Sequence, residues 1–174
     1  MNDSALREID LRLFRQTLGS FVTGVTVITA REGEGVRGMT ANAFMSGSLE
    51  PPLCVISIAK RAHMHELLLH SRHFGVSILA EGQEDLSDHF AGRHIPGLTV
   101  AFDTIGGVPL LCDACGRVAA EIVTHHDCGD HTIFIGHIRH LDSADRPPLV
   151  YHSGRYGALD RRRVEHEVAV PEFW

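Results

Sequence analysis

The chain has 174 residues, 44% hydrophobic and 22% charged, which suits one domain (1–174) with a single core and argues against a disordered chain. The net charge is −6 and the basic run is Arg161 to Arg163, so the clustered cations that nucleic-acid binding needs are missing. The 13 histidines are the oddity, since protonating them reverses the sign of the charge.

Met1 to Glu8 is polar and no apolar run exceeds strand length, which predicts neither a signal peptide nor a membrane span. Cys54, Cys112, Cys115 and Cys128 are too few for a disulfide framework, and the expectation is a reduced, cytoplasmic protein. In chain order, Asp10 is placed to cap a helix, with Ile9 and Phe14 at the positions of a hydrophobic staple. Leu13, Phe14, Leu18 and Phe21 continue the helical spacing, and Gly19 marks the exit. Val25 to Thr29 is β-branched and predicts a strand, followed by a turn over Gly33 to Gly38. Strands follow at Leu53–Ala59, set off by Pro51-Pro52, and at His73–Leu79. Ala62–His70 and Gln83–Ala91 read as short helices. Val118–Thr124 and Thr132–Ile138 read as strands about a polar turn at Asp127 to Asp130, and Leu149–His152 as the last strand. Antiparallel-looking strands with inserted helices favour a mainly β barrel over a doubly wound α/β sheet.

Several motifs carry chemistry on paper. Gly33-Glu34-Gly35-Val36-Arg37-Gly38 spells the dinucleotide fingerprint, but no helix follows to receive a pyrophosphate, so a polar hairpin turn explains it. His65 and His70 resemble a zinc-protease pair with one residue too many, which sets the rings about 140° apart around a helix. Cys112, Cys115, Cys128 and His131 have the spacing of a structural zinc site, although a barrel of this size folds without metal; the alternative reading is small buried thiols. Lys60-Arg61-Ala62-His63 joins a strand end to a helix start, where free N–H groups and two cations make an anion site; simple solvation is the bland alternative. Thr40 to Phe44 is small and polar where a strand should thicken, which lets a flat ring lie against backbone, or else marks an irregular edge. His131 follows a tight turn at the mouth of a strand.

Taken in order, Gly19 to Val27, Gly38 to Asn42, Leu49 to Leu53, Phe90 to Arg93, Gly129 to Thr132 and Gly154 to Gly157 resemble the short-chain flavin reductase family, the reductase halves of two-component flavin monooxygenases. The resemblance covers about residues 10–159. It implies the FMN-binding split β-barrel, an antiparallel Greek-key fold with a few short helices, working as a homodimer and passing reduced flavin to a separate oxygenase. FMN or FAD would be the flavin and NADH or NADPH the reductant. By the same resemblance Thr40, Ala41, Asn42, Ala43 and Ser46 would border the isoalloxazine. Ser57, Ala59, Lys60, Arg61 and His63 would follow the ribityl chain and phosphate, with Phe90 beside the flavin and Arg93 as a further cation. His131, Arg155 and Tyr156 would lie where nicotinamide stacks on flavin. His63 and His65 stand where the family often has hydroxyl side chains, and Ala43 where it often has Ser. The tail from Asp160 to Trp174 falls outside the resemblance, and its Val168, Val170, Phe173 and Trp174 suit docking on the body or a partner. A flavoprotein that retains FMN and reduces another acceptor, such as a ferric chelate, and a non-catalytic flavin-binding module are the rival readings. No metal is expected.

Overall fold

Helix α1 (Leu11–Gly19) opens the part of the chain that the computed structural model describes, residues 9–160. Asp10 caps it as expected, accepting a hydrogen bond from the Arg12 amide at 2.8 Å. None of its residues is buried, so its apolar stripe has no covering element within the described residues. The tail residues Val168, Val170, Phe173 and Trp174 lie outside the described residues.

After β1 (Thr23–Gly24), the β-branched run becomes β2 (Thr26–Glu32), which pairs antiparallel with β3 (Gly35–Ala41). The turn between them is only Gly33-Glu34, with Gly33 at φ +57°, rather than the whole of Gly33–Gly38. Gly38 sits inside β3, where an added Cβ would meet the Phe90 ring. Strands β4 (Phe44–Leu49) and β5 (Pro52–Ala59) make the next hairpin, with Pro51 in the turn and Pro52 starting β5. Helix α2 (His63–His70), β6 (His73–Ile78) and α3 (Glu84–Phe90) follow close to their predicted places.

A hairpin not foreseen from the sequence, β7 (Phe102–Ile105) with β8 (Val108–Leu111), leads into the long pair β9 (Gly116–Cys128) and β10 (His131–Ser143). Each of these strands runs 13 residues, well beyond the spans predicted from apolar residues alone. Two register shifts, between Ile135 and Gly136 and between Ile138 and His140, kink the pair as bulges do. Strands β11 (Val150–His152) and β12 (Arg155–Gly157) complete a three-stranded ribbon with β1.

The main sheet is ordered β3-β2-β6-β9-β10-β5-β4, antiparallel at every step, which is the mainly β class expected. Its outermost strands, β3 and β4, are consecutive in the chain and separated only by Asn42 and Ala43. So short a connection reaches no further than about 11 Å. The sheet therefore curls until its two edges meet at that corner, while no ladder joins β3 to β4 and the seam stays open. One core fills the curl. Met39 and Ala41 from one edge and Phe44 from the other pack against the cluster that contains the fully buried Phe74 and Phe134.

Candidate active site

The corner at Asn42–Ala43 is backbone that changes strand. The Asn42 carbonyl accepts from the Phe44 amide at 3.0 Å, and the Ala43 carbonyl accepts from the Ser57 amide at 3.1 Å. A hollow lies on either side. One is a polar cleft of about 400 Å³, bordered by Thr40, Asn42, Ser87, Asp88, Arg93 and Tyr156. The other is an apolar groove of about 800 Å³, bordered by Phe21, Ala43, Phe44, Val55, Ser57 and Ile133. Asn42 and Tyr151 line both.

One turn of α3 organises the cleft. The Thr40 hydroxyl donates to the Ser87 carbonyl at 2.6 Å, fixing β3 against the helix. The Tyr156 hydroxyl lies 2.8 Å from Asp88 Oδ1 and 2.9 Å from Ser87 Oγ. A phenol has one hydrogen, which the charged carboxylate claims, leaving the Ser87 hydroxyl to donate to the phenol oxygen. Burial pushes the Tyr156 pKa up, and the Asp88 charge adds to this, so the ring is a neutral donor. Arg93 reaches the other Asp88 oxygen at 3.1 Å.

The groove follows from strand alternation. On β5, Cys54, Ile56 and Ile58 face the core, so Val55, Ser57 and Ala59 face outward. Across the ladder, Ile133 stands opposite Ser57 and His131 opposite Ala59. His131 therefore shares the outward face, one alternation beyond the groove. Gly129, at φ +61°, makes the turn that delivers it.

Lys60, Arg61 and His63 gather beside His131, since the Lys60 amide donates to the Asp130 carbonyl at 2.9 Å. No side chain caps α2, whose N-cap is Ala62, so the helix start keeps donors for an anion. Carboxylates attend these side chains. Lys60 Nζ lies 3.2 Å from Asp127, His63 is paired with Glu32, and His131 Nδ1 lies 2.8 Å from Asp130. The His63 hydrogen bond, then that of Arg37, holds the Glu32 carboxyl below the usual range; His131 does the same for Asp130. His65, the other departure from family usage, is bonded to the buried Thr132 hydroxyl at 2.9 Å.

Of the residues singled out in the sequence, Thr40, Ala41, Asn42, Arg93 and Tyr156 converge on the cleft, and Asn42, Ala43 and Ser57 on the groove. Lys60, Arg61, His63, Ala59 and His131 form a separate patch at the groove's far end and line neither hollow. Ser46 pairs with Cys54 on β4 away from both, and Arg155 borders a shallow recess next to Tyr156. Phe90 packs over Gly38 and against Phe102. Sequence reasoning missed Ser87, Asp88 and Tyr151. Asp88 is one acid among several on a short polar helix, and only its three-dimensional partners distinguish it.

Among the described residues no group of three or more His, Cys, Asp or Glu is placed to hold a metal ion. The zinc alternative fails on distance, because Cys115 precedes β9 and Cys128 ends it, and a strand of that length spans about 40 Å. The hollows do fit a flavin and a second nucleotide. The groove is large enough for a flat apolar ring system, Ala43 leaves its wall low, and the cleft and patch offer cations for phosphate.

The chain is similar to known proteins in sequence and in fold. The flavin reductase like domain matches residues 18–160. An NADH-dependent flavin reductase of Rhodococcus sp is 43% identical over 149 residues, covering 84% of this chain and 85% of the relative. The reductase component of a 4-hydroxyphenylacetate 3-monooxygenase from Thermus thermophilus is 40% identical over 147 residues, covering 84% of this chain and 95% of the relative. An NADH:FAD oxidoreductase of Streptomyces globisporus, solved with NAD and FAD fragments, superposes with a TM-score of 0.82 at 36% identity, covering 91% of this chain and 99% of that one. The matched region runs from the end of α1 to the last described residue, and the chain belongs to the flavin reductase-like family.

Proposed function

We propose that the chain oxidises NADH, transfers the hydride to FMN or FAD, and releases the reduced flavin to a separate monooxygenase component. The observation that carries this reading is the meeting of an apolar groove and a polar cleft at one backbone corner, Asn42–Ala43. Hydride passes directly between the nicotinamide and flavin rings, so the protein supplies position and electrostatics rather than an acid–base pair. The groove walls, Ala43 and Ser57 among them, receive the flavin ring. The uncapped α2 start with Lys60, Arg61 and His63 receives its phosphate. His131, on the same outward face, orients the nicotinamide, with Tyr156 bordering the cleft and Arg155 the recess beside it. Lys60 and His63 must each exchange a carboxylate for the phosphate, which suits a flavin that comes and goes better than one retained.

The working unit in this reading is a homodimer. Leu11 is 67% exposed and Phe21 77%, and together with Leu13, Phe14 and Leu18 they form an apolar surface beside a groove that is open on one side. A second copy covers that surface and completes the groove, leaving the seam of a split barrel at the shared site. The cysteines are all free, in keeping with a cytoplasmic setting. A dialysis experiment tests the release of product. With the chain, NADH and FMN on one side of a membrane and cytochrome c on the other, the cytochrome becomes reduced only if flavin carries the electrons across. Cytochrome that stays oxidised while NADH is consumed contradicts a diffusible product.

A further inference from the structure

Asp88 lies at the centre of the cleft, yet nothing in its sequence context marks it. Its two oxygens serve two different residues, Tyr156 from β12 at 2.8 Å and Arg93 from beyond α3 at 3.1 Å. Its side chain is only 24% exposed, whereas that of Arg93 is 74% exposed. The carboxylate is therefore fixed by its surroundings, and the guanidinium is the mobile partner on the rim. Arg93 has five N–H donors and spends one of them on Asp88. A guanidinium in that state can turn to an incoming phosphate, but only in competition with the carboxylate.

We propose that Asp88 is a positioning residue: it anchors Tyr156 in the cleft and holds Arg93 in a pair that the phosphate of the entering nucleotide must displace. This rests on the reading of the cleft as part of a flavin reductase site. Asp88 thereby does two opposing things. It keeps the cleft shaped for its ligand, and it lowers the affinity for that ligand's phosphate so that product leaves.

The two effects separate by substitution. Asp88→Asn keeps an oxygen for the Tyr156 hydroxyl but removes the charge that competes for Arg93. An exposed-side ion pair of this kind is worth a modest amount, so the KM for the phosphate-bearing substrate falls by about two- to five-fold. Asp88→Ala removes the Tyr156 anchor as well, and kcat falls with it. Riboflavin, which lacks the phosphate, replaces FMN in one arm, and NADH is varied at fixed riboflavin in another. A fall in KM confined to FMN moves the flavin phosphate from the α2 start to the cleft; a fall in the KM for NADH assigns the cleft to the dinucleotide's phosphate. In either case the gain disappears in an Arg93→Ala background, a dependence that a merely structural role for Asp88 does not produce.

Asp88→Asn that raises both KM values, or leaves both unchanged, overturns the proposal. So does a gain that survives removal of Arg93. These outcomes are distinct from failure of the underlying reading, in which the unaltered chain oxidises no NADH with any flavin. Binding of FMN and NADH to the same variants, followed by fluorescence, then decides the question without turnover.

Discussion

His131 sits where β10 begins, half exposed, its Nδ1 held by Asp130 at 2.8 Å and its ring on the outward face shared with Ser57. The Asp130 bond leaves Nε2 as the nitrogen free to meet a carboxamide. His131→Ala should raise the KM for NADH by about fivefold, the value of one hydrogen bond, and move flavin affinity less. Steady-state titration of each substrate in turn checks this, and an unchanged KM for NADH removes His131 from the site. Glu121 carries a different residue-scale consequence. Hydrogen bonds from Arg139, then Arg72, lower its pKa from 4.5 to about 2. A carboxyl depressed in the folded state stabilises the fold above its unfolded pKa, and that contribution is lost as pH falls from about 4.5 toward 2. Glu121→Gln should therefore flatten the loss of Tm across that window relative to the unaltered chain. Thermal melts at stepped pH read the difference, and parallel curves for the two proteins contradict it.

At the scale of elements, the barrel wall depends on glycines that admit large rings. A Cβ at Gly136 would lie 2.6 Å from the Phe74 ring and 2.8 Å from Ala120, between strands β6, β9 and β10. Gly136→Ala should cost about 1–3 kcal/mol, the usual penalty for overpacking a tight core, and denaturant unfolding measures it. The same elements show what a sequence discloses. The α1 cap and the α2 and α3 spans were legible because caps and helical spacing are local. The outer ends of β9 and β10 were not, since His125, His126 and Asp127 lack apolar alternation and are held in register by the facing strand. The β7–β8 hairpin was hidden as well, because Pro109 interrupts a short apolar run and the pairing is only two strands wide. Of the site, Thr40 to Ala43 was legible as small residues in an unlikely place. Asp88 and Ser87 were not, because their roles are defined by Tyr156 and Thr40, which are remote in the chain and meet only in the fold.

For the whole molecule, the curl of the sheet and the bare face of α1 belong together. The sheet brings its edges to the Asn42–Ala43 corner, and the exposed Phe21 and Leu18 border the groove that opens there. If a second copy covers this face, Phe21→Asp should yield a monomer in light scattering and lose flavin-dependent turnover together with the dimer. A monomeric variant with full activity separates the site from the interface, and a monomeric unaltered chain removes the interface altogether. As a whole the fold is expected to move hydride from NADH to a flavin that is free to leave. Following NADH absorbance with the purified chain, alone and then with added FMN or FAD, tests it most directly. NADH oxidation is expected to be negligible until flavin is added and to show saturable turnover afterwards. Oxidation that proceeds at full rate without added flavin, or none with either flavin, would contradict it.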